Sequence, residues 1–200
     1  MTTTALRIGL DFGGVVVVSK PRIPGEDTKL LATDGDEAAQ PGMFDAVRTL
    51  VATAHGAVWI VSKAGPGMQE RTLGWMDAVD FHTRTGLARD HVHFCRERSE
   101  KKPICSELGI THFVDDRIHI MQILRGSVPN LYLFGRLGEG HACPPWATPV
   151  VDWEQVIARI VGTGHGTGRS AADRRSQPHD PRLAVDPRLL RRPSLAPRIR

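Results

Sequence analysis

Hydrophobic residues in the first 160 positions alternate between short continuous runs and stretches with helical spacing. Apolar residues recur every three or four positions from Met43 to Val51, directly after a Pro-Gly pair, which predicts a helix. A similar stripe from Trp153 to Val161 predicts a closing helix. The unbroken apolar run 57–61 predicts a strand buried on both faces. Further strands are predicted at 6–10, 91–95, 112–114 and 131–134, and further helices at 68–79, 104–108 and 118–124.

This alternation of strands and helices is typical of a parallel sheet covered by helices on both faces. We therefore predict an α/β fold with a doubly wound parallel sheet. Binding sites in such sheets lie at the carboxyl ends of the strands. The residues that directly follow each predicted strand are consequently the first candidates for function.

Polar side chains that suit one reaction follow three of the predicted strands. Asp11 comes after the first strand, Ser62 after the second, and Asp115-Asp116 after the strand predicted at 112–114. Lys101 and Lys102 lie just before a short predicted helix, where an ammonium could reach the same edge. Carboxylates hold Mg²⁺, and a lysine with a metal neutralises phosphoryl oxygens while a carboxylate attacks phosphorus. The pattern predicts magnesium-assisted phosphoryl transfer.

At this point the chain resembles the haloacid dehalogenase superfamily of phosphohydrolases. The ordered match, within roughly residues 6–135, consists of Leu10 to Val15, Ile60 to Ser62, Lys102-Pro103 and Phe113 to Arg117. The resemblance implies a modified Rossmann sheet and an aspartyl-phosphate intermediate. It also implies a small phosphorylated substrate, with the small nucleotidases of that superfamily as a looser match. A nucleotide or sugar phosphate is therefore expected.

The resemblance implies a role for each residue at the strand ends. The implied Mg²⁺ ligands are Asp11, the Gly13 carbonyl and Asp116, with Asp115 beside them, and the implied phosphate-binding residues are Ser62 and Lys102. Asp11 would also be the nucleophile, and Lys102 would hold both the nucleophile and the phosphate. Each residue has a plainer reading as well: the aspartates and the serine as caps or turn formers, and Lys101-Lys102 as a solvated pair.

One position departs from the family pattern. The usual motif has a second aspartate two residues after the nucleophile, which serves as general acid and base, and this chain has Gly13 there. A general acid contributes roughly 10²–10⁴-fold in rate. Asp34, Asp36 and His141 are candidate substitutes. The alternative function is a catalytically weak or inactive binding or scaffold domain.

The inserted cap that usually controls substrate choice in this family is expected to be absent or minimal. The interval 19–41 contains several prolines and glycines and is long enough only for a flap. The interval 65–100 contains a helix and a strand that the sheet itself requires. We therefore predict an open, capless site.

Composition divides the chain into an α/β domain, 1–163, and a basic tail, 164–200. The tail has nine arginines, three aspartates and five prolines, a net charge of +6. Since the whole chain carries +4, the domain carries −2. The tail is predicted to be disordered because it has few apolar groups to offset the entropy of ordering. A partner for it, protein or nucleic acid, is not identified by the sequence.

The charge and the apolar runs also limit the partners and the location. The mildly acidic domain does not favour nucleic acid, although processing of phosphorylated nucleic-acid ends, with the tail on the backbone, stays open as a third reading. No apolar run reaches the roughly 18 residues of a membrane span. The N-terminal segment lacks the apolar region of a signal peptide, and three scattered cysteines give no disulfide framework. A cytoplasmic location is expected.

Overall fold

The computed structural model describes residues 5–18, 38–135 and 142–162. Six strands lie in these ranges: β1 (Ile8–Leu10), β2 (Val58–Lys63), β3 (Val92–Cys95), β4 (His112–Asp115), β5 (Asn130–Phe134) and β6 (Thr148–Val150). The α-helices of the same ranges are α1 (Met43–Thr53), α2 (Pro66–Ala78), α3 (Phe81–Thr85), α4 (Lys101–Glu107), α5 (Ile118–Leu124) and α6 (Trp153–Gly162). None of these helices is long and apolar enough to cross a membrane.

All six strands pair in parallel in the order β3-β2-β1-β4-β5-β6. The predicted doubly wound α/β fold is therefore confirmed. The chain order reverses at β1, where β2 lies on one side and β4 on the other, and this is the place where such sheets bind ligands. Leu10 of β1 pairs with Ile60 of β2 and Val114 of β4. Asp11, the residue directly after β1, therefore lies level with Asp115.

Alternate residues of the central strands enter two separate hydrophobic cores. Ile8, Leu10 and Val114 pack with α1, α2, α3 and α6 on one face of the sheet. Phe113 and its neighbours pack with α4 and α5 on the other face. Gly9 lies beneath Phe113, and a Cβ at Gly9 would come 2.4 Å from that ring. Both faces are thus buried, as the continuous apolar runs predicted.

The predicted helices and strands are confirmed, with boundaries that move by a few residues. The largest shift is at α4, which begins at Lys101 rather than at position 104. Helix α3 and strand β6 were not predicted, because α3 has five residues and β6 three, too few for a clear period. Of the flap predicted at 19–41, residues 19–37 lie outside the described residues. The tail from 164 lies outside them entirely.

Candidate active site

The chain turns back on itself immediately after β1. The amides of Val16 and Val17 both donate to the Phe12 carbonyl, at 2.9 and 3.1 Å, and the Gly14 amide donates to the Val17 carbonyl at 2.8 Å. Residue 14 has a φ of 86°, a conformation that favours glycine. A Cβ there would lie 2.3 Å from Asp116 Oδ2, so glycine also makes room for that carboxylate.

Two distant residues hold this turn in place. The Gln40 side-chain amide donates to the Gly14 carbonyl at 3.0 Å. The indole N–H of Trp153, the first residue of α6, donates to the Val15 carbonyl at 3.0 Å in a buried hydrogen bond. The backbone directly after Asp11 is therefore fixed by side chains from two other segments of the fold.

A buried lysine joins the carboxyl ends of β1 and β4. Lys101 Nζ lies 2.9 Å from Asp11 Oδ1 and 2.7 Å from Asp115 Oδ2, and its side chain is 2% exposed. The other Asp115 oxygen, Oδ1, accepts a hydrogen bond from the Arg117 amide at 3.0 Å. Asp115 is fully buried. The adjacent ends of two strands thus meet around one ammonium group.

The lysine at these carboxylates is Lys101, which corrects the sequence prediction of Lys102. The reason is the start of α4: Glu97 and Glu100 form a capping box over the turn before it, so the helix begins at Lys101. Lys101 then shares a face with the buried Cys105 four residues later, whereas Lys102 is exposed. The signal for this was present in the sequence as the two glutamates three residues apart.

Asp116 completes a group of three carboxylates. Asp11, Asp115 and Asp116 each offer an oxygen within 4.8 Å of the others. Among the residues that the structure describes, Asp116 Oδ1 is buried without a hydrogen-bond partner, and the Arg117 guanidinium, at 3.6 Å, is an ion-pair neighbour beyond hydrogen-bond distance. A buried acceptor without a donor costs free energy. Three carboxylates with one unused buried oxygen suit a hard cation such as Mg²⁺.

Burial and mutual repulsion determine the protonation of this cluster. Burial, and then the charge of Asp11, raise the pKa of Asp115 to about 8, against the opposing effect of Lys101. The pKa of Asp116 is raised by the same two causes. Burial alone would lower the pKa of the Lys101 ammonium, but the charges of Asp11 and Asp115 outweigh it and raise that pKa. The lysine therefore stays charged, and the carboxyl groups of Asp115 and Asp116 hold a proton more tightly than usual.

The other predicted site residues lie at the same edge of the sheet. Ser62, buried near the end of β2, lies one residue beyond the level of Asp11 on the neighbouring strand. Gly13 lies in the turn directly after Asp11. Phosphate binding by Ser62 and metal binding by the Gly13 carbonyl stay predictions. The candidate substitute acids Asp34, Asp36 and His141 lie outside the described residues.

Comparisons with known proteins bear on the fold. No protein-family model matches the chain, and no curated protein matches it. A haloacid dehalogenase-like family hydrolase from Xanthomonas campestris matches with a TM-score of 0.50 and 12% identity, over 82% of this chain and 100% of that chain. A protein from Burkholderia xenovorans, described as a haloacid dehalogenase-like hydrolase, has a TM-score of 0.46 and 15% identity over 62% of this chain and 59% of that chain. With its parallel six-stranded sheet and the first of these matches, the chain has the fold of the haloacid dehalogenase-like hydrolases.

Proposed function

We propose that the chain is a Mg²⁺-dependent phosphohydrolase that cleaves a phosphate monoester through an aspartyl-phosphate on Asp11. The observation that carries this proposal is the buried bridge from Lys101 to Asp11 and Asp115, beside a third carboxylate with an unused oxygen. A buried carboxylate paired with a lysine at a strand end is suited to nucleophilic attack, because it is oriented and little hydrated.

The reaction takes place in two balanced steps. In the first, an Asp11 oxygen forms a bond to phosphorus while the ester P–O bond breaks, and solvent water supplies the proton that the leaving oxygen takes up. In the second, water attacks phosphorus, the bond to Asp11 breaks, and inorganic phosphate leaves with the carboxylate restored. Lys101 orients Asp11 through its hydrogen bond, and Ser62 donates a hydrogen bond to the phosphate.

Asp11, Asp115 and Asp116 are the residues that would hold Mg²⁺, together with the Gly13 carbonyl. When bound there, the ion would neutralise charge on the phosphoryl oxygens. The group of three carboxylates fits this because, with a single lysine among them, it carries excess negative charge when ionised. The same excess favours uptake of either a proton or a cation.

The test is hydrolysis of a panel of phosphate monoesters, including nucleotides and sugar phosphates, with and without Mg²⁺. We expect turnover in the wild type that is lost in Asp11→Asn, and acid quenching should trap phosphate on the peptide that contains Asp11. Asp45→Asn is the matched control, since Asp45 is exposed on α1 and pairs with Arg48. Undiminished turnover in a folded Asp11→Asn variant would contradict the proposal.

A second candidate function, a phosphate-binding or scaffold domain without catalysis, is favoured by Gly13 alone. The glycine at that position has no side chain that could protonate the leaving group. If folded wild-type protein binds Mg²⁺ and phosphate but turns over no monoester, this second function replaces the first.

A further inference from the structure

Two arginines and a histidine border the carboxylate site on one side. Arg98 lies in the single helical turn Arg98–Glu100 that leads directly into α4. Arg117 and His119 lie at the start of α5, directly after Asp116. The 98–100 turn packs against both α4 and α5. Arg98, Arg117 and His119 are exposed, and we call these three residues the cationic rim.

The carboxylates beside the rim already accept hydrogen bonds from the backbone. Glu100 Oε2 accepts hydrogen bonds from the Arg96 and Glu97 amides, at 2.8 and 3.1 Å. The Glu97 carboxylate closes the other half of this capping box on the backbone. In the ranges that the structure describes, Arg98 forms no ion pair, and the nearest carboxylate oxygen to the Arg117 guanidinium is Asp116 Oδ1 at 3.6 Å.

The two rim arginines lie close enough to His119 to act on its imidazole. Burial, and then the charges of Arg98, Arg117 and Lys101, lower the pKa of the His119 imidazole. The charges of Arg98 and Arg117 also repel one another, and a bound anion reduces that repulsion. Guanidinium groups also bind carboxylate and phosphate oxygens in pairs, which gives the rim a geometric preference for those anions.

We propose that the cationic rim binds a second anionic group, a carboxylate or a phosphate, on the leaving-group side of the substrate. This inference rests on the proposed function, because it assigns the scissile phosphate to the site of Asp11 and Lys101. It narrows the substrate class to phosphate monoesters that carry another negative charge. Binding energy from that group would position the ester for attack in a site without an acid at residue 13.

The test compares substrates that differ only in the second anion. The pairs are 2-phosphoglycolate against 2-hydroxyethyl phosphate, and glucose 1,6-bisphosphate against glucose 6-phosphate. At fixed ionic strength we expect the wild type to favour the member with the second anionic group by about tenfold or more in kcat/KM for at least one pair. In the double variant Arg98→Gln, Arg117→Gln, the ratio of the two kcat/KM values should fall toward one.

Arg125→Gln is the matched control, since Arg125 is exposed at the opposite end of α5 and lies against Trp146. It should leave the preference unchanged. Equal kcat/KM within both pairs for the wild type, or a preference that survives removal of both rim arginines, would overturn the inference.

Failure of the rim is distinguishable from failure of the proposed function. Calorimetry with the Asp11→Asn protein and Mg²⁺ measures binding of each sugar phosphate without turnover. Suppose that the wild type hydrolyses no ester, but the Asp11→Asn protein binds the bisphosphate about tenfold more tightly than the monophosphate and loses this preference when the rim arginines are removed. That result would contradict the phosphohydrolase and support the rim. Hydrolysis without any such preference in binding or kcat/KM would support the enzyme and overturn the rim.

Discussion

Lys101 donates a 2.9 Å hydrogen bond to Asp11, ninety positions earlier in the chain, and both side chains are buried. The bond joins the start of α4 to the end of β1. It also places a positive charge between the buried carboxylates of Asp11 and Asp115. The same contact therefore contributes to stability and to the chemistry that we propose.

Removal of this ammonium is expected to lower the stability of the fold. Lys101→Met leaves Asp11 and Asp115 buried without their partner, which should lower the free energy of unfolding by about 3–5 kcal/mol. Lys102→Met, at an exposed position, should change it by less than about 0.5 kcal/mol. Urea unfolding of both variants provides the measurement. Similar effects of the two substitutions would contradict the assignment of Lys101 to the site.

Gly14→Ala should disturb Asp116 specifically. The new Cβ would meet Asp116 Oδ2 at 2.3 Å, and residue 14 has a positive φ. We expect a loss of about 1–3 kcal/mol in stability together with weaker Mg²⁺ binding, measured by calorimetry. Gly74→Ala in the middle of α2 is the control, since nothing lies within 4 Å of its Cβ position and alanine favours helix. Unchanged Mg²⁺ affinity in Gly14→Ala would remove Asp116 from the metal site.

The sheet could be predicted from the sequence because its strands are buried on both faces and therefore appear as continuous apolar runs. Asp11, Asp115 and Asp116 were placed together because the carboxyl ends of neighbouring parallel strands meet. The lysine was misplaced by one residue, because the choice between Lys101 and Lys102 depends on where α4 begins. One residue on a helix rotates a side chain by about 100°, from the core into solvent.

The turn after β1 could not be predicted for a different reason. Val15 to Val17 form an apolar run typical of a strand, yet they are buried in a turn. Tertiary contacts override the local pattern here: the hydrogen bonds from Gln40 and Trp153 involve residues far away in the chain. Neither contact has a signal in the local sequence.

The stability of the metal-free protein should fall as the pH rises from about 4 to about 8. Folded Asp115 and Asp116 hold protons more tightly than in the unfolded chain, so unfolding releases protons in this window. Asp115→Asn should flatten the fall, which urea titrations at several pH values would measure. Wild type and Asp115→Asn have to be compared because His112 also titrates. Burial lowers the pKa of His112, so that below about pH 6.5 this residue makes stability rise with pH. A fall of equal size in both proteins would contradict the pKa assignment, and saturating Mg²⁺ should reduce the fall by keeping the carboxylates ionised.

Trp153→Phe tests whether α6 positions the nucleophile turn. The ring volume is largely kept, but the Val15 carbonyl loses its buried donor, at a cost of about 1–3 kcal/mol. We expect kcat to fall about tenfold or more with little change in KM, because the backbone next to Asp11 is less well fixed. Trp59→Phe is the control: Trp59 is equally a core residue but lies on the opposite face of the sheet. Equal loss of kcat in the two folded variants would show that Trp153 has only a packing role.

Gly13 predicts which esters the protein cleaves well. With no carboxyl group at that position, departure of the leaving oxygen depends on its own basicity, so an aryl phosphate such as p-nitrophenyl phosphate should react far faster than an alkyl phosphate. Gly13→Asp should raise the alkyl rate by about 10²-fold and the aryl rate much less, because only the poor leaving group needs the proton. Gly13→Asn has nearly the same shape without an acidic proton and should produce no such gain. Equal wild-type rates on the two esters would indicate that an acid elsewhere in the chain already supplies the proton, whereas a loss on both esters in Gly13→Asp alone would indicate a site adapted to glycine.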